Sequence, residues 1–103
     1  SYTESTSIDE YIDDLDVLYV TRIQKERFPD EEEYAKVKGI YVIGSDMVKR
    51  MKDDAIILHP LPRIDEISAE VDNTKQAKYF EQAEYGKYTR AALLGLILNE
   101  KSF

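Results

Sequence analysis

At 103 residues the chain is long enough for one small domain at most. Its 43% hydrophobic and 34% charged residues exclude a disordered polymer, and a formal net charge of −7 argues against nucleic acid, whose phosphates need a basic face. Cysteine is absent, which removes disulfide and thiolate chemistry and leans towards a cytoplasmic setting.

In chain order, residues 1–6 read as a flexible lead-in without the basic and apolar regions of a signal peptide. Ser7 has the position of an N-cap, and Glu10 completes a capping box for a short acidic helix to about Leu15. Residues 16–21 are apolar, β-branched and aromatic, which predicts a buried strand. A polar segment from Arg22 to Arg27 follows and is interrupted by Pro29. Asp30 is placed to cap a helix over 31–37 that Gly39 stops. Residues 40–43 are a further strand candidate, and Ser45 is expected to cap a helix over 46–52 that turns Met47, Val48 and Met51 inward. The next strand, Ile56-Ile57-Leu58, runs into His59-Pro60-Leu61-Pro62-Arg63. Two prolines one residue apart cannot continue a ladder or enter a helix interior, so the strand must end there in a bent conformation.

Residues 66–73 read as a turn or short helix, and Thr74 as the cap of a longer helix over 76–100 with Gly86 as its weak point. Residues 7–75 thus form βα units and 76–100 a C-terminal helix. The stretch 91–98 of that helix is apolar all round, which demands burial on every face. Alternating strands and helices predict a parallel sheet with right-handed crossovers, covered on both faces.

In open α/β sheets ligands bind beyond the carboxyl ends of the strands. Two segments fall there, one carrying Arg22 and one His59 to Arg63. An arginine fork there suits a carboxylate or phosphate; the alternative is that Arg22 and Arg63 pair with neighbouring surface acids. Leu61-Pro62 is either a cis turn that offers backbone carbonyls to a ligand or a trans strand terminator. His59, the only histidine, is either a general base or a hydrogen-bonded structural residue, and too few partners accompany it for a metal site. Asp65 with Glu66, and Glu31 to Glu33, read as solvated acidic faces. Tyr79, Tyr85 and Tyr88 read as packing residues, because no basic groove accompanies them. There is no glycine-rich phosphate loop or nucleophile elbow.

The stretches Leu18-Tyr19-Val20-Thr21-Arg22-Ile23-Gln24-Lys25-Glu26-Arg27-Phe28 and Leu58-His59-Pro60-Leu61-Pro62-Arg63-Ile64-Asp65-Glu66-Ile67 resemble the C-terminal part of aspartate carbamoyltransferase catalytic chains. Val71-Asp72, Tyr79-Phe80-Glu81-Gln82-Ala83 and Arg90-Ala91-Ala92-Leu93-Leu94 resemble it in the same order. The sibling ornithine enzymes carry cysteine where this chain has Pro60, which favours the aspartate branch.

The resemblance implies a three-layer Rossmann-like α/β fold, here a part of the aspartate-binding domain. It implies transfer of the carbamoyl group of carbamoyl phosphate to L-aspartate, an early step of pyrimidine synthesis, with no metal or organic cofactor. Arg22, assisted by Gln24, would bind an aspartate carboxylate, and Leu61 and Pro62 would offer backbone carbonyls to the carbamoyl and amino N–H groups. Arg27, His59 and Arg90 would have supporting roles. The family's catalytic chain is much longer, holds its phosphate-binding motif elsewhere, and completes its site from a neighbouring subunit of a homotrimer. The 103 residues alone are therefore expected to be inactive. The competing expectation is a self-associating folding unit that binds no ligand, since the apolar 91–98 run needs covering.

Overall fold

A computed structural model of the chain describes residues 1–22, 29–33 and 42–98. Strands β1 (Val17–Tyr19) and β2 (Ile56–Leu58) pair in parallel, with Val17 opposite Ile56, Leu18 opposite Ile57 and Tyr19 opposite Leu58. The Ile56 amide donates to the Asp16 carbonyl at 3.0 Å and the Val20 amide to the Leu58 carbonyl at 2.8 Å, so the two strands leave the sheet side by side. The other edge of β2 is also occupied. Ile57 donates to the Gln76 carbonyl at 2.7 Å and accepts from Lys78 at 3.0 Å.

Strand β2 is therefore hydrogen-bonded along both edges, to β1 through Ile56 and Leu58 and to 76–78 through Ile57, and Ile57 has no exposed surface. Around it pack Ile12, Val48 and Met51, Ile67 and Val71, and Tyr79. Burying an isoleucine, valine or methionine side chain of this kind contributes about 1.5–3 kcal/mol. β1 is less buried than its composition predicts. It is an outer strand bonded only to β2 among the described residues, and Val17 and Tyr19 remain half exposed. Of the 40–43 candidate, Ile40 and Tyr41 lie outside the described residues, and Ile43 forms a single parallel bridge to Ile67.

The expected helix after Ser7 is a run of turns. Tyr11 and Ile12 both donate to the Ile8 carbonyl, and Asp14 donates to that of Tyr11. The Asp9 carbonyl, which the Asp13 amide would use in a helix, instead accepts from Arg50 Nη2 at 2.9 Å. Arg50 also donates to the Asp9 and Asp13 carboxylates, so a tertiary ion-pair cluster replaces local helical bonding. Ser7 does not cap; its amide and carbonyl both bond the Ser5 hydroxyl.

Helix α1 (Ser45–Arg50) begins one residue earlier than predicted, with Gly44 at the N-cap position. The Ser45 amide donates instead to Glu70 Oε1 at 3.2 Å, so a carboxylate from a distant segment does the capping. Residues Ala69–Asn73 form a 3-10 helix, and Thr74 closes it by donating its hydroxyl to the Val71 carbonyl at 2.7 Å. Thr74 therefore does not start the C-terminal helix. The backbone of 76–78 lies along β2 before helix α2 (Tyr79–Ile97) begins, which explains its late start. In the partly described 29–33 segment, Asp30 Oδ1 accepts from the Glu33 amide at 2.8 Å, as a cap does.

α2 is about 28 Å long at 1.5 Å per residue, and Gly86 does not interrupt it. Its first turn packs on the core through Tyr79, but the rest extends away. Tyr85, Tyr88, Leu93, Leu94, Leu96, Ile97 and Leu98 are all more than half exposed. Burial of 91–98 thus does not occur within the described chain, and Tyr79 alone of the three tyrosines is a packing residue. Among the described residues no helix is long and apolar enough to cross a membrane.

Candidate functional site

The carboxyl ends of β1 and β2 meet at one edge. From β1 the chain continues through Thr21 to Arg22, whose exposed side chain lines an open cleft of about 260 Å³ with Ile8, Leu18, Val20, Thr21 and Ile43. From β2 it enters the proline turn. The His59 amide donates to Gln82 Oε1 at 2.9 Å, and Gln82 Nε2 reaches the Tyr19 hydroxyl at 3.4 Å. One α2 side chain thereby connects the ends of both strands.

The His59 ring is 1% exposed. Its Nδ1 accepts from the Leu61 amide at 2.7 Å, so the ring proton sits on Nε2, which donates to Glu66 Oε1 at 2.7 Å. With its one free lone pair engaged, His59 is a structural residue here rather than a general base. Burial pushes the Glu66 carboxyl up, but amide hydrogen bonds and the His59 donor outweigh it and hold the group below the ordinary glutamate range. The reading of Asp65 and Glu66 as a solvated face is corrected for Glu66, which is 7% exposed and accepts from the Ile64 and Asp65 amides.

The Leu61-Pro62 bond is cis, and Leu61 has φ of +57°, the positive-φ non-glycine residue of the described chain. A left-handed leucine costs roughly 1–3 kcal/mol and persists only where its surroundings hold it. Pro60 and Pro62 are exposed and Leu61 is half-buried, packed against the core.

Arg63 turns inward instead of facing the rim. Its guanidinium forms a two-pronged pair with Asp72, Nη2 to Oδ2 at 2.6 Å, and donates to the Tyr79 hydroxyl at 3.3 Å. Of the two readings for Arg63, pairing with a neighbouring acid holds, although the pair is largely buried. The Asp72 hydrogen bond raises the Arg63 pKa against the opposing effect of burial, and Arg63 holds the Asp72 carboxyl low. Burial and then Asp72 push the Tyr79 phenol up to about 12.

Gln24 and Arg27 lie outside the described residues. Arg90 is exposed on α2, roughly 12 Å along the helix axis from Gln82, with its guanidinium folded back over Gly86. The described chain therefore brings Arg22, His59, Leu61 and Pro62 to one rim, and Arg90 is set apart from them. Glu66 and Gln82 hold that rim; from the sequence Glu66 reads as a solvated acid, and Gln82 only as part of the 79–83 stretch. The available signal was a glutamate seven residues beyond the sole histidine across a proline turn.

Residues 1–97 match the family model described as aspartate/ornithine carbamoyltransferase, Asp/Orn binding domain. The chain belongs to this family. It is 80% identical over 102 residues to the aspartate carbamoyltransferase catalytic subunit of Nitrosopumilus maritimus, covering 99% of this chain and 33% of that protein. The corresponding subunit of Cenarchaeum symbiosum is 76% identical with the same coverage.

Among solved structures, the catalytic subunit of M. jannaschii aspartate transcarbamoylase superposes with a TM-score of 0.76 at 54% identity, covering 95% of this chain and 32% of that one. The Trypanosoma cruzi enzyme in complex with carbamoyl phosphate superposes with a TM-score of 0.76 at 40% identity, covering 86% and 29%. The expected Rossmann-like α/β fold and the resemblance to the aspartate branch both hold. The chain spans about a third of the length of the curated relatives it matches.

Proposed function

We propose that the chain is the aspartate-side wall of a carbamoyl transfer site, working in the transfer of a carbamoyl group from carbamoyl phosphate to L-aspartate. The observation that carries this reading is the parallel register of β1 and β2, which sets Arg22 and the His59–Arg63 turn on one edge. In the reaction the α-amino nitrogen of aspartate bonds to the carbamoyl carbon, the carbon–oxygen bond to phosphate breaks, and the amine sheds a proton that the departing phosphate is basic enough to take. Catalysis of this type rests on alignment of the two substrates and stabilisation of the tetrahedral oxyanion. Arg22 binds an aspartate carboxylate with Gln24 assisting, the Leu61 and Pro62 carbonyls accept from substrate N–H groups, and Arg27 and Arg90 have supporting roles.

Among the described residues the rim has one wall. The proposed full enzyme supplies the phosphate-binding groups and assembles as a cytoplasmic homotrimer, and the isolated 103 residues are inactive. A colorimetric assay for carbamoyl-aspartate tests both statements. The chain alone stays at the blank, whereas a chimera in which it replaces the matching third of the Nitrosopumilus maritimus subunit turns over. In that chimera Arg22→Ala raises the KM for aspartate by about tenfold or more, the loss expected for a charge-assisted contact. Product from the chain alone would sink the inactivity claim, and an unchanged KM would sink the role of Arg22.

The exposed apolar end of α2 favours a second reading for the chain alone, a self-associating folding unit without ligand. Light scattering that returns a strict monomer removes it.

A further inference from the structure

Glu66 and His59 lie behind the proline turn, and both side chains are buried. A buried carboxylate is costly unless donors match its charge. Glu66 collects the His59 Nε2 proton at 2.7 Å, the Ile64 amide at 3.2 Å and the Asp65 amide at 3.1 Å. That arrangement holds the His59 proton on Nε2 and leaves the Nδ1 lone pair for the Leu61 amide, 2.7 Å away. Leu61 is the residue with φ of +57°, a conformation that an L side chain adopts only under local constraint. The acceptor that constrains it is a ring whose own orientation is set by a buried carboxylate.

We propose that Glu66, acting through His59, is a positioning device that sets the Leu61 peptide and thereby aims the turn's carbonyls at the carbamoyl substrate. This rests on the reading of the turn as the substrate-facing rim. Neither residue reaches substrate; both act through the backbone of Leu61.

The test uses the full-length chimera described above, 80% identical to its host over the exchanged segment. His59→Ala and Glu66→Ala remove the relay. His59→Asn restores an acceptor two residues ahead of the Leu61 amide, as an Asx turn does, without the link to Glu66. Misplacing a positioned group by about 1 Å costs about 10²-fold. The kcat/KM for carbamoyl phosphate is therefore expected to fall by about that factor in His59→Ala, with the KM for aspartate little changed. His59→Asn recovers roughly tenfold of the loss, although it too leaves unfilled some of the space the ring occupied and is expected to melt no higher than His59→Ala. If His59→Ala fails to assemble, Glu66→Gln, which keeps the volume but turns a donor towards the Ile64 and Asp65 amides, carries the same expectation at smaller size.

Values of kcat/KM within about twofold of the parent, or an asparagine variant no better than the alanine one, overturn the proposal. A crystal structure of the chimera with carbamoyl phosphate separates the two levels. Turn carbonyls in contact with the ligand together with indifferent variants refute the positioning role alone. A turn standing clear of the ligand refutes the proposed function of the rim and the positioning role with it.

Discussion

Replacing Arg63 by methionine probes the cluster that anchors the turn to the body of the domain. The Arg63 side chain is 19% exposed and that of Asp72 26% exposed. The substitution deletes both prongs of their pair, the donor to the Tyr79 hydroxyl, and a guanidinium lying 5.7 Å from the Tyr79 ring centroid. Hydrogen bonds to charged groups contribute roughly 1.5–3 kcal/mol, and breaking a fully buried pair costs roughly 3–5 kcal/mol because its partner is stranded. About a quarter of the Asp72 side chain still meets water, which moves the expectation below the fully buried range, to about 2–3 kcal/mol. Methionine keeps the aliphatic volume, so the cavity contribution is small.

Urea unfolding of the 103-residue chain, followed by circular dichroism at neutral pH, measures the loss. The pH dependence gives a second check. Arg63 holds the folded-state pKa of Asp72 below its ordinary value, so this stability is present above the ordinary carboxylate range and is lost as pH falls through the lowered folded value. The gap between parent and Arg63→Met therefore closes in acid. Adding Asp72→Leu to Arg63→Met should restore part of the loss by removing the stranded charge. A loss below about 0.5 kcal/mol, or a gap that does not change with pH, would refute the reasoning.

The phenol of Tyr79 titrates at about 12 in the folded chain, above its ordinary 10.0. A raised folded pKa contributes stability below the ordinary value that is lost as pH rises through the folded one, so a stability decline between about pH 10 and 12 is expected, and Tyr79→Phe should flatten it. Ile57→Val, at the fully buried centre of β2, should cost about 0.5–1.5 kcal/mol in urea melts. Leu94→Lys on the exposed face of α2 should leave the unfolding midpoint within about 0.5 kcal/mol of the parent while lowering any association seen by light scattering.

Legibility in the sequence followed the range of the interaction responsible. The end of β2 was readable because two prolines act on their own backbone, and the parallel pairing because short alternating units admit few topologies. The capping box at Ser7 failed because Arg50, far along the chain, takes the Asp9 carbonyl that the helix would have used. The start of α2 was misplaced for a related reason, since the backbone of 76–78 bonds to β2 before it can coil. At the rim, the placement of Arg22 and the turn at strand ends is legible, but Glu66 reads as one of many solvated acids. Only the folded chain buries it against the sole histidine.

Residue types and motifs alone establish membership of the carbamoyltransferase family, a parallel α/β pattern, and the two segments that meet at the rim. These depend on residue types acting over a few neighbours or on motifs preserved whole. Tertiary structure decided that Arg63 is held inward by Asp72, which tautomer His59 holds, and which apolar surfaces find cover. Each of those is a choice between partners distant in sequence, settled by burial and hydrogen-bond geometry that no local pattern encodes.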